Sequence, residues 1–173
     1  ERQPLDAAGR QMAVSRAIEL SEGQLCYYAA ASRRRGFVQR LSALLADMKR
    51  GGLTPGALAD YAAGLEGSPR AKYEDLSRLY AAYEGVLGGR FSDSEDTTAY
   101  VAGRLAECDL LSGTHVFAYG FDTLTEPLIA LLCAAAPLCA SLTVALTCEA
   151  ETAPDGDLYE PVRRSLGRFA QAL

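Results

Sequence analysis

The stretch THVFAYGFDTLTEPLIALLCAAAPLCASLTVALT, residues 114–147, decides which fold class the chain can adopt. Residues 115–119 mix apolar, β-branched and aromatic side chains, as buried strands do, and residues 141–147 are again rich in β-branched side chains. Between them, Thr125 can cap a helix over residues 126–136. A strand, a helix and a strand at this spacing form a βαβ unit. The pattern therefore predicts two parallel strands joined by a right-handed crossover.

The residues on either side of this unit are predicted to be helical, because their apolar side chains recur at helical spacing. The predicted helices cover residues 6–20, 22–32, 36–50, 53–65, 69–87 and 93–109 before the unit, and residues 158–172 after it. The fold class is therefore mostly α with a small α/β part. We predict a helical subdomain over residues 1–112 and an α/β piece over residues 113–173.

The apolar stripes of the predicted helices are the candidate core. They comprise Met12, Ala13, Ala17 and Leu20, then Phe37, Leu41, Leu44, Leu45 and Met48, then Leu76, Leu79, Tyr80, Tyr83 and Leu87. Two parallel strands do not form a stable sheet by themselves. Either a neighbouring segment of protein supplies further strands, or helices of this chain cover a small sheet.

Composition limits the classes of function. The formal net charge is −5, which argues against tight standalone binding to nucleic acid, because phosphate neutralisation supplies much of that affinity. The five cysteines contain no C-x-x-C pair, and the single His115 completes no familiar zinc pattern. We therefore expect reduced core thiols in a cytoplasmic protein.

No apolar run is long enough to cross a bilayer. Because Glu1 stands where a start Met would, we expect an internal fragment of a longer protein.

No complete catalytic constellation is present. Neither lysine lies in a G-x-x-x-x-G-K-[ST] phosphate loop, and no G-x-S-x-G elbow accompanies the histidine. Pro154, Asp155 and Asp157 resemble the start of a nuclease motif, but no E-x-K follows them, and Pro-Asp-Gly favours a tight turn. We therefore predict no catalytic residue, no metal and no cofactor in this chain.

The segment SRRRGFVQR, residues 32–40, is the candidate contact with DNA. Its basic side chains are Arg33, Arg34, Arg35 and Arg40. Guanidinium groups suit phosphates, and Phe37 could add stacking. A solvated helix start with Phe37 in the core explains the same pattern. It also explains a second run, Arg163, Arg164 and Arg168.

Asp93, Glu95 and Asp96 form an acidic cluster at the start of a predicted helix. Hard cations bind clustered carboxylates, so a metal site is one interpretation. The helix dipole also favours acids in a first turn, and that explanation needs no ligand. We prefer the second interpretation.

Three consecutive segments resemble the B subunit of AddAB-type helicase-nucleases, which are ATP-dependent helicase/deoxyribonucleases, and to which RexB is closely related. They are LLADMKRGGLTPGAL, KYEDLSRLYAAYEGVLGGRFSDSED and YGFDTLTEPLIALLCAAAP. The similarity covers about residues 5–147. It depends on K-x-x-D-L followed by two tyrosines at residues 72–83, on F-x-D-x-E-D at residues 91–96, and on G-F…T at residues 120–125.

The resemblance implies a fold related to superfamily 1 helicases. Residues 1–112 would be a helical insertion subdomain of the 1B type, and the two strands would belong to a RecA-like sheet. In an active relative the first strand ends in Asp-Glu, the Walker B pair that handles magnesium and the attacking water. The matching positions here are Tyr119 and Gly120. The resemblance therefore implies a degenerate Walker B position.

The resemblance also implies a function. The parent would be an ATP-dependent exodeoxyribonuclease and helicase subunit that resects DNA ends in double-strand break repair and recombination. This chain would be a non-catalytic element of its DNA channel, with the helicase-nuclease A subunit and DNA as partners and no membrane contact. The family's iron–sulfur cluster does not carry over, because the cysteines here do not match its pattern. The alternative function is a helical protein-interaction scaffold without a nucleic-acid role, which the negative charge favours.

Overall fold

The computed structural model describes residues 3–92, 94–147 and 159–173, with the side chains of all of these except Ser94 and Glu95. The helices are α1 Ala7–Leu20, α2 Phe37–Arg50, α3 Pro55–Ala63, α4 Gly67–Leu87, α5 Ser94–Arg104, α6 Glu126–Ala135 and α7 Glu160–Ala172, and a 3-10 turn, Leu105–Glu107, follows α5. The strands are β1 Gln3–Pro4, β2 Phe91–Ser92, β3 His115–Phe121 and β4 Ser141–Leu146. The predicted class, mostly α with a small α/β part, is confirmed.

The contacts within the chain divide it into two compact units, Glu1–Asp96 and Thr97–Leu173. Each unit has a hydrophobic core of its own. The domain boundary predicted after residue 112 stays a prediction.

The core of the first unit is built around α4. Leu76, Leu79 and Tyr83 are almost fully buried along this helix, which packs against α1 and α3. From α2, Leu41 and Leu45 enter the same core, as the apolar stripe of residues 36–50 predicts. Thr54 accepts a hydrogen bond from the Ala57 N–H at 3.2 Å and so begins α3, because the first N–H groups of a helix need such acceptors.

The predicted stripe of α1 is wrong at two of its four positions. Met12 and Leu20 are 74% and 50% exposed, whereas Ala13, Val14 and Ala17 are buried. The buried face is centred near Ala13, about 100° around the helix from Met12, because successive residues of an α-helix are rotated by that angle. Ala13, Val14 and Ala17 belong to the same core as Leu76 and Leu79 of α4, so contacts between the two helices select this face.

The short helix predicted over residues 22–32 is also wrong, because this segment forms consecutive turns. Gly23 has φ +80°, a conformation that ends helical continuation. The N–H groups of Cys26 and Tyr28 donate to the side chain of Asp75 on α4 instead of to backbone carbonyls one helical turn earlier. A tertiary acceptor therefore replaces the local hydrogen bonds on which a helix depends.

The second unit contains the predicted βαβ arrangement. β3 and β4 are parallel, with His115 opposite Ser141 and Ala118 opposite Val144. The helices α6 and α7 pack against each other, and Leu124, Ile129 and Leu132 form a core with Ala118 and Phe169. Thr125 occupies the N-cap position of α6, but its side chain makes no cap hydrogen bond. That detail of the prediction is therefore wrong, although the helix begins where expected.

The cysteines depart from the prediction of core thiols. All four that the structure describes are free, but Cys26 and Cys108 are exposed, and Cys133 and Cys139 are half-buried. Cys26 lies in the turn segment, where its backbone N–H, not its thiol, makes the tertiary contact. Cys148 lies outside the described residues.

Candidate nucleic-acid interface

Tyr119 and Gly120 lie near the carboxyl end of β3, where ligands of parallel sheets usually bind. The register between β3 and β4 is irregular between Ala118 and Phe121. Gly120 has φ +83° inside this irregularity, which a residue without a side chain adopts most easily. Tyr119 is 82% exposed. Neither position supplies a carboxylate, so the degenerate Walker B interpretation remains a prediction that rests on the sequence.

The best-defined polar site of the first unit is the buried carboxylate of Asp75, which is 1% exposed. Its oxygens accept hydrogen bonds from the Cys26 N–H at 3.1 and 3.0 Å and from the Tyr28 N–H at 2.9 Å. Arg78 donates to Asp75 at 3.3 Å and to the Gln24 carbonyl at 2.9 Å. A buried charge needs such partners, because its desolvation is costly. We call this group of contacts the Asp75 anchor.

Sequence reasoning missed the Asp75 anchor, although a signal for it was present. Asp75 stands four residues before Leu79, on the apolar face of α4. An acid at such a position is buried with partners or is out of place. Its partners are backbone groups 47 and 49 residues away in sequence, and no local pattern could identify them.

The Asp75 anchor fixes the start of the loop that carries the arginines, residues 21–36, which we call the arginine loop. Beyond Tyr28 the chain turns tightly three times, through hydrogen bonds from Ser32 N–H to Tyr28 O, from Arg34 N–H to Ala31 O and from Phe37 N–H to Arg34 O. Gly36 then precedes α2 with φ +84°. The loop is therefore held by side-chain contacts at its start and by its own turns at its end.

The four candidate arginines differ in their surroundings. Arg33 pairs with Glu22 at 3.2 Å, with both side chains largely exposed. Arg34 and Arg35 are exposed at the tip of the loop, and within the described part of the chain neither side chain makes a hydrogen bond or ion pair. Arg40 is exposed on the first turn of α2. The guanidinium groups of Arg34, Arg35 and Arg40 are therefore available to an external anion.

A cavity of about 270 Å³ opens beside this loop. Its walls include Tyr28, Phe37, Leu41, Leu44 and Leu76, and Arg40 is the one charged residue among the described residues that line it. The rings of Tyr28 and Phe37 lie 5.6 Å apart, centroid to centroid, at an angle of 52°. Burial, followed by the neighbouring Tyr27, Asp75 and Tyr73 groups, raises the pKa of Tyr28 above its usual value of 10.0. Its phenol therefore stays uncharged at neutral pH.

The other arginine run is arranged differently. Arg164 pairs with Glu160 on the same helix, and Arg168 pairs with Glu126 on α6. Each of these two guanidinium groups is engaged by an acid within the second unit. The interpretation of this run as a structural surface fits its geometry better than a phosphate contact.

Asp96, the described carboxylate of the predicted acidic cluster, pairs with Lys49. The Lys49 ammonium group lies 2.8 Å from Asp96 and 2.7 Å from Glu84, and this lysine is 8% exposed. Asp93 and the side chain of Glu95 lie outside the described residues, as does the Pro154–Asp157 segment. Among the residues that the structure describes, no three His, Cys, Asp or Glu side chains are grouped as metal ligands.

In the same residues, no helix is both long and apolar enough to cross a membrane.

Comparison with known proteins shows similarity over almost the whole chain. The family model described as "ADDB, N-terminal" matches residues 1–172. The B subunit of the ATP-dependent helicase/deoxyribonuclease of Listeria innocua is 28% identical over 143 residues, which is 83% of this chain and 12% of the relative. Its namesake from Desulforudis audaxviator is 29% identical over 170 residues, 94% of this chain and 15% of the relative. The namesake from Alkaliphilus metalliredigens is 25% identical over 167 residues, 95% of this chain and 14% of the relative. The chain thus spans about one-seventh of the length of these relatives or less.

Proposed function

Because the chain belongs to the family of the AddB N-terminal domain, we propose that it is a non-catalytic, helicase-like part of a helicase-nuclease B subunit. The parent protein acts in the repair of DNA double-strand breaks and in recombination, where it resects DNA ends. Its partners are the A subunit and DNA, and its location is the cytoplasm. The relatives are named as B subunits of an ATP-dependent helicase/deoxyribonuclease, and this supports the proposed class of activity.

The residues at the end of β3 support a non-catalytic role. Magnesium and an attacking water would need carboxylates where Tyr119 and Gly120 stand. Magnesium-dependent ATP hydrolysis by the purified chain, above that of a mock preparation, would contradict this part of the proposal.

One observation carries the proposed contact with DNA: Arg34 and Arg35 are exposed at the tip of a loop whose start the Asp75 anchor holds. Hydrogen bonds that hold the start of the loop reduce the conformational entropy that the loop would lose on binding a phosphate. The net charge of −5 opposes association, so the contact depends on local charge and is weak for the isolated chain.

The test is the salt dependence of DNA binding, measured by fluorescence anisotropy with a labelled oligonucleotide. We expect Arg33→Ala/Arg34→Ala/Arg35→Ala to lower the slope of log affinity against log salt by about 0.7–0.9 for each phosphate that the variant no longer binds. The matched control is Arg16→Ala/Arg50→Ala/Arg70→Ala, which removes the same charge from exposed helix positions of the same unit. Equal effects of the two triple variants would refute the proposed contact.

The second candidate function, a protein-interaction scaffold, is favoured by a different observation. Phe117 and Tyr119 are 72% and 82% exposed on one face of β3. Large exposed aromatic groups are typical of surfaces that contact other proteins. Binding to the A subunit together with absent or salt-insensitive DNA binding would favour this candidate over the first.

A further inference from the structure

The cavity beside the arginine loop combines two features that a nucleotide requires. Its walls are apolar and include the rings of Tyr28 and Phe37. Arg40 lies at its wall, and Arg34 and Arg35 belong to the turn between Ala31 and Phe37, both of which line it. We propose that this cavity receives one unstacked base of a single DNA strand, while the arginines hold the adjacent phosphates. This inference rests on the proposed function, since it names the form of DNA that the same loop binds.

The size of the cavity limits its occupant. Sites for whole small molecules occupy about 300–1,000 Å³, and this cavity has about 270 Å³. A cavity at the lower end of this range suits one flat group better than a whole nucleotide. The remainder of the nucleotide would lie outside, where Arg34 and Arg35 are exposed.

The charge of the cavity favours a nucleic acid over an apolar peptide side chain. Among the described residues no carboxylate lines the cavity, and the charged residue at its wall, Arg40, is positive. A peptide anchor needs no cation at this place, whereas an arginine beside aromatic rings suits both a phosphate and the face of a base. The Glu22 carboxylate lies near the arginines, and it forms its ion pair with Arg33.

The cavity is held in shape before any ligand binds. Tyr28 supplies a wall, and its N–H donates to the buried Asp75 carboxylate at 2.9 Å. Leu76, the next residue after Asp75, lines the same cavity. The position of the Tyr28 backbone is therefore set by α4, and binding a base does not require the loop to order itself.

A single strand should bind better than a duplex, because bases within a duplex are stacked and paired and cannot enter the cavity. Stacking on an aromatic side chain contributes about 1–3 kcal/mol per base, so loss of the cavity should weaken single-strand binding roughly 5- to 150-fold. Duplex binding, which depends on the phosphates alone, should stay within about twofold of the unmodified chain.

The first experiment fills the cavity. Ala31 lines it, whereas the adjacent Ala30 is exposed on the same turn and does not. Ala31→Leu should weaken the binding of an oligothymidine and spare a duplex, while the matched control Ala30→Leu should change neither. Affinities are measured by anisotropy at low salt with the 173-residue chain, after circular dichroism shows that both variants are folded.

The second measurement uses the unmodified chain and so does not depend on how the variants fold. An oligothymidine that carries 5-iododeoxyuridine is cross-linked by light, and the modified peptide is identified by mass spectrometry. We expect the adduct on Tyr28 or on Phe37. Trypsin releases Phe37 in the peptide of residues 36–40 and Tyr28 in the peptide that ends at Arg33, so the two sites are distinguished.

The outcomes separate this inference from the proposed function. Two results would show that the cavity is not a base site while the phosphate contact stands. In the first, Arg33→Ala/Arg34→Ala/Arg35→Ala weakens binding but Ala31→Leu binds the single strand normally. In the second, the arginine variant weakens binding but the cross-linked adduct lies outside Tyr28 and Phe37. If the arginine variant behaves like its charge-matched control, both ideas are refuted. A peptide occupant would give the first of these results.

Discussion

Single side chains with long-range partners determine the shape of the arginine loop. The carboxylate of Asp75, which is 1% exposed, accepts hydrogen bonds from the backbone N–H groups of Cys26 and Tyr28. It also accepts one from the Arg78 side chain. Hydrogen bonds to a charged acceptor are stronger than those between neutral groups. Because the loop has no regular secondary structure, it depends on this one side chain more than a helix would.

Asp75→Asn should destabilise the first unit and loosen the arginine loop. The amide keeps the shape of the side chain but replaces one acceptor oxygen by an NH2 donor. With its oxygen at the Oδ2 place it can still accept from the Cys26 and Tyr28 N–H groups, but the NH2 group then faces the Arg78 guanidinium, and the buried negative charge is lost. We expect a loss of about 1–4 kcal/mol in the free energy of unfolding, measured with urea.

The same variant should be cut faster by trypsin at Arg33–Arg35, because a loosened loop reaches the protease more often. Asp60→Asn, on the exposed face of α3, is the control for loss of a negative charge. An unchanged cutting rate in Asp75→Asn would show that the turns beyond Tyr28 hold the loop without the anchor.

Helices α2 and α4 and the start of α5 are joined by one buried cation. The Lys49 ammonium group contacts Glu84 of α4 and Asp96 of α5, and it lies 5.3 Å from the centre of the Tyr83 ring. Lysine side chains are rarely buried unless they are paired, and Lys49 is 8% exposed. Pairing with two carboxylates is what makes its burial possible.

Lys49→Met should cost about 1–3 kcal/mol, since it removes the buried cation that two carboxylates share, although both carboxylates are partly exposed and thus partly screened. Thermal or urea unfolding of the 173-residue chain measures the loss. Lys72→Met on α4 is the matched control, because Lys72 is less buried. Equal stability of the two variants would mean that the buried pairs add nothing net.

The two units differ in how completely they cover their apolar surface. The first unit encloses its core between helices, whereas the second leaves the aromatic side chains of one sheet face exposed. Ala118 and Val144 on the other face pack against the helices. A two-stranded sheet with one bare aromatic face is typical of a part that contacts further protein.

Phe117→Thr/Tyr119→Thr should therefore leave the free energy of unfolding within about 0.5 kcal/mol while reducing self-association and the binding of a hydrophobic dye. Analytical ultracentrifugation and dye fluorescence measure the second effect. Val144→Thr is the control on the covered face, and it should cost about 1–2 kcal/mol because it buries a hydroxyl group. A large loss of stability in the double variant would show that this face is packed within the chain.

Local patterns were sufficient for most helices, for the parallel strand pair and for the family. Periodicity located α2 and α4 because each helix buries one stripe, and turn residues such as Thr54 and Gly51 mark where helices begin and end. The order of the segments from LLADMKRGGLTPGAL to YGFDTLTEPLIALLCAAAP was enough to indicate the family that the comparison shows.

The buried face of α1, the turns of residues 22–32 and the burial of Lys49 were decided by tertiary structure. In each case the deciding partner lies far away in sequence: α4 for Ala13 and Ala17, Asp75 for Cys26 and Tyr28, Glu84 and Asp96 for Lys49. Local propensity contributes tenths of a kcal/mol to about 1 kcal/mol per residue, whereas an unpaired buried charge costs several. Where the two compete, the buried group sets the local structure, and in this chain it shapes the loop that carries the arginines.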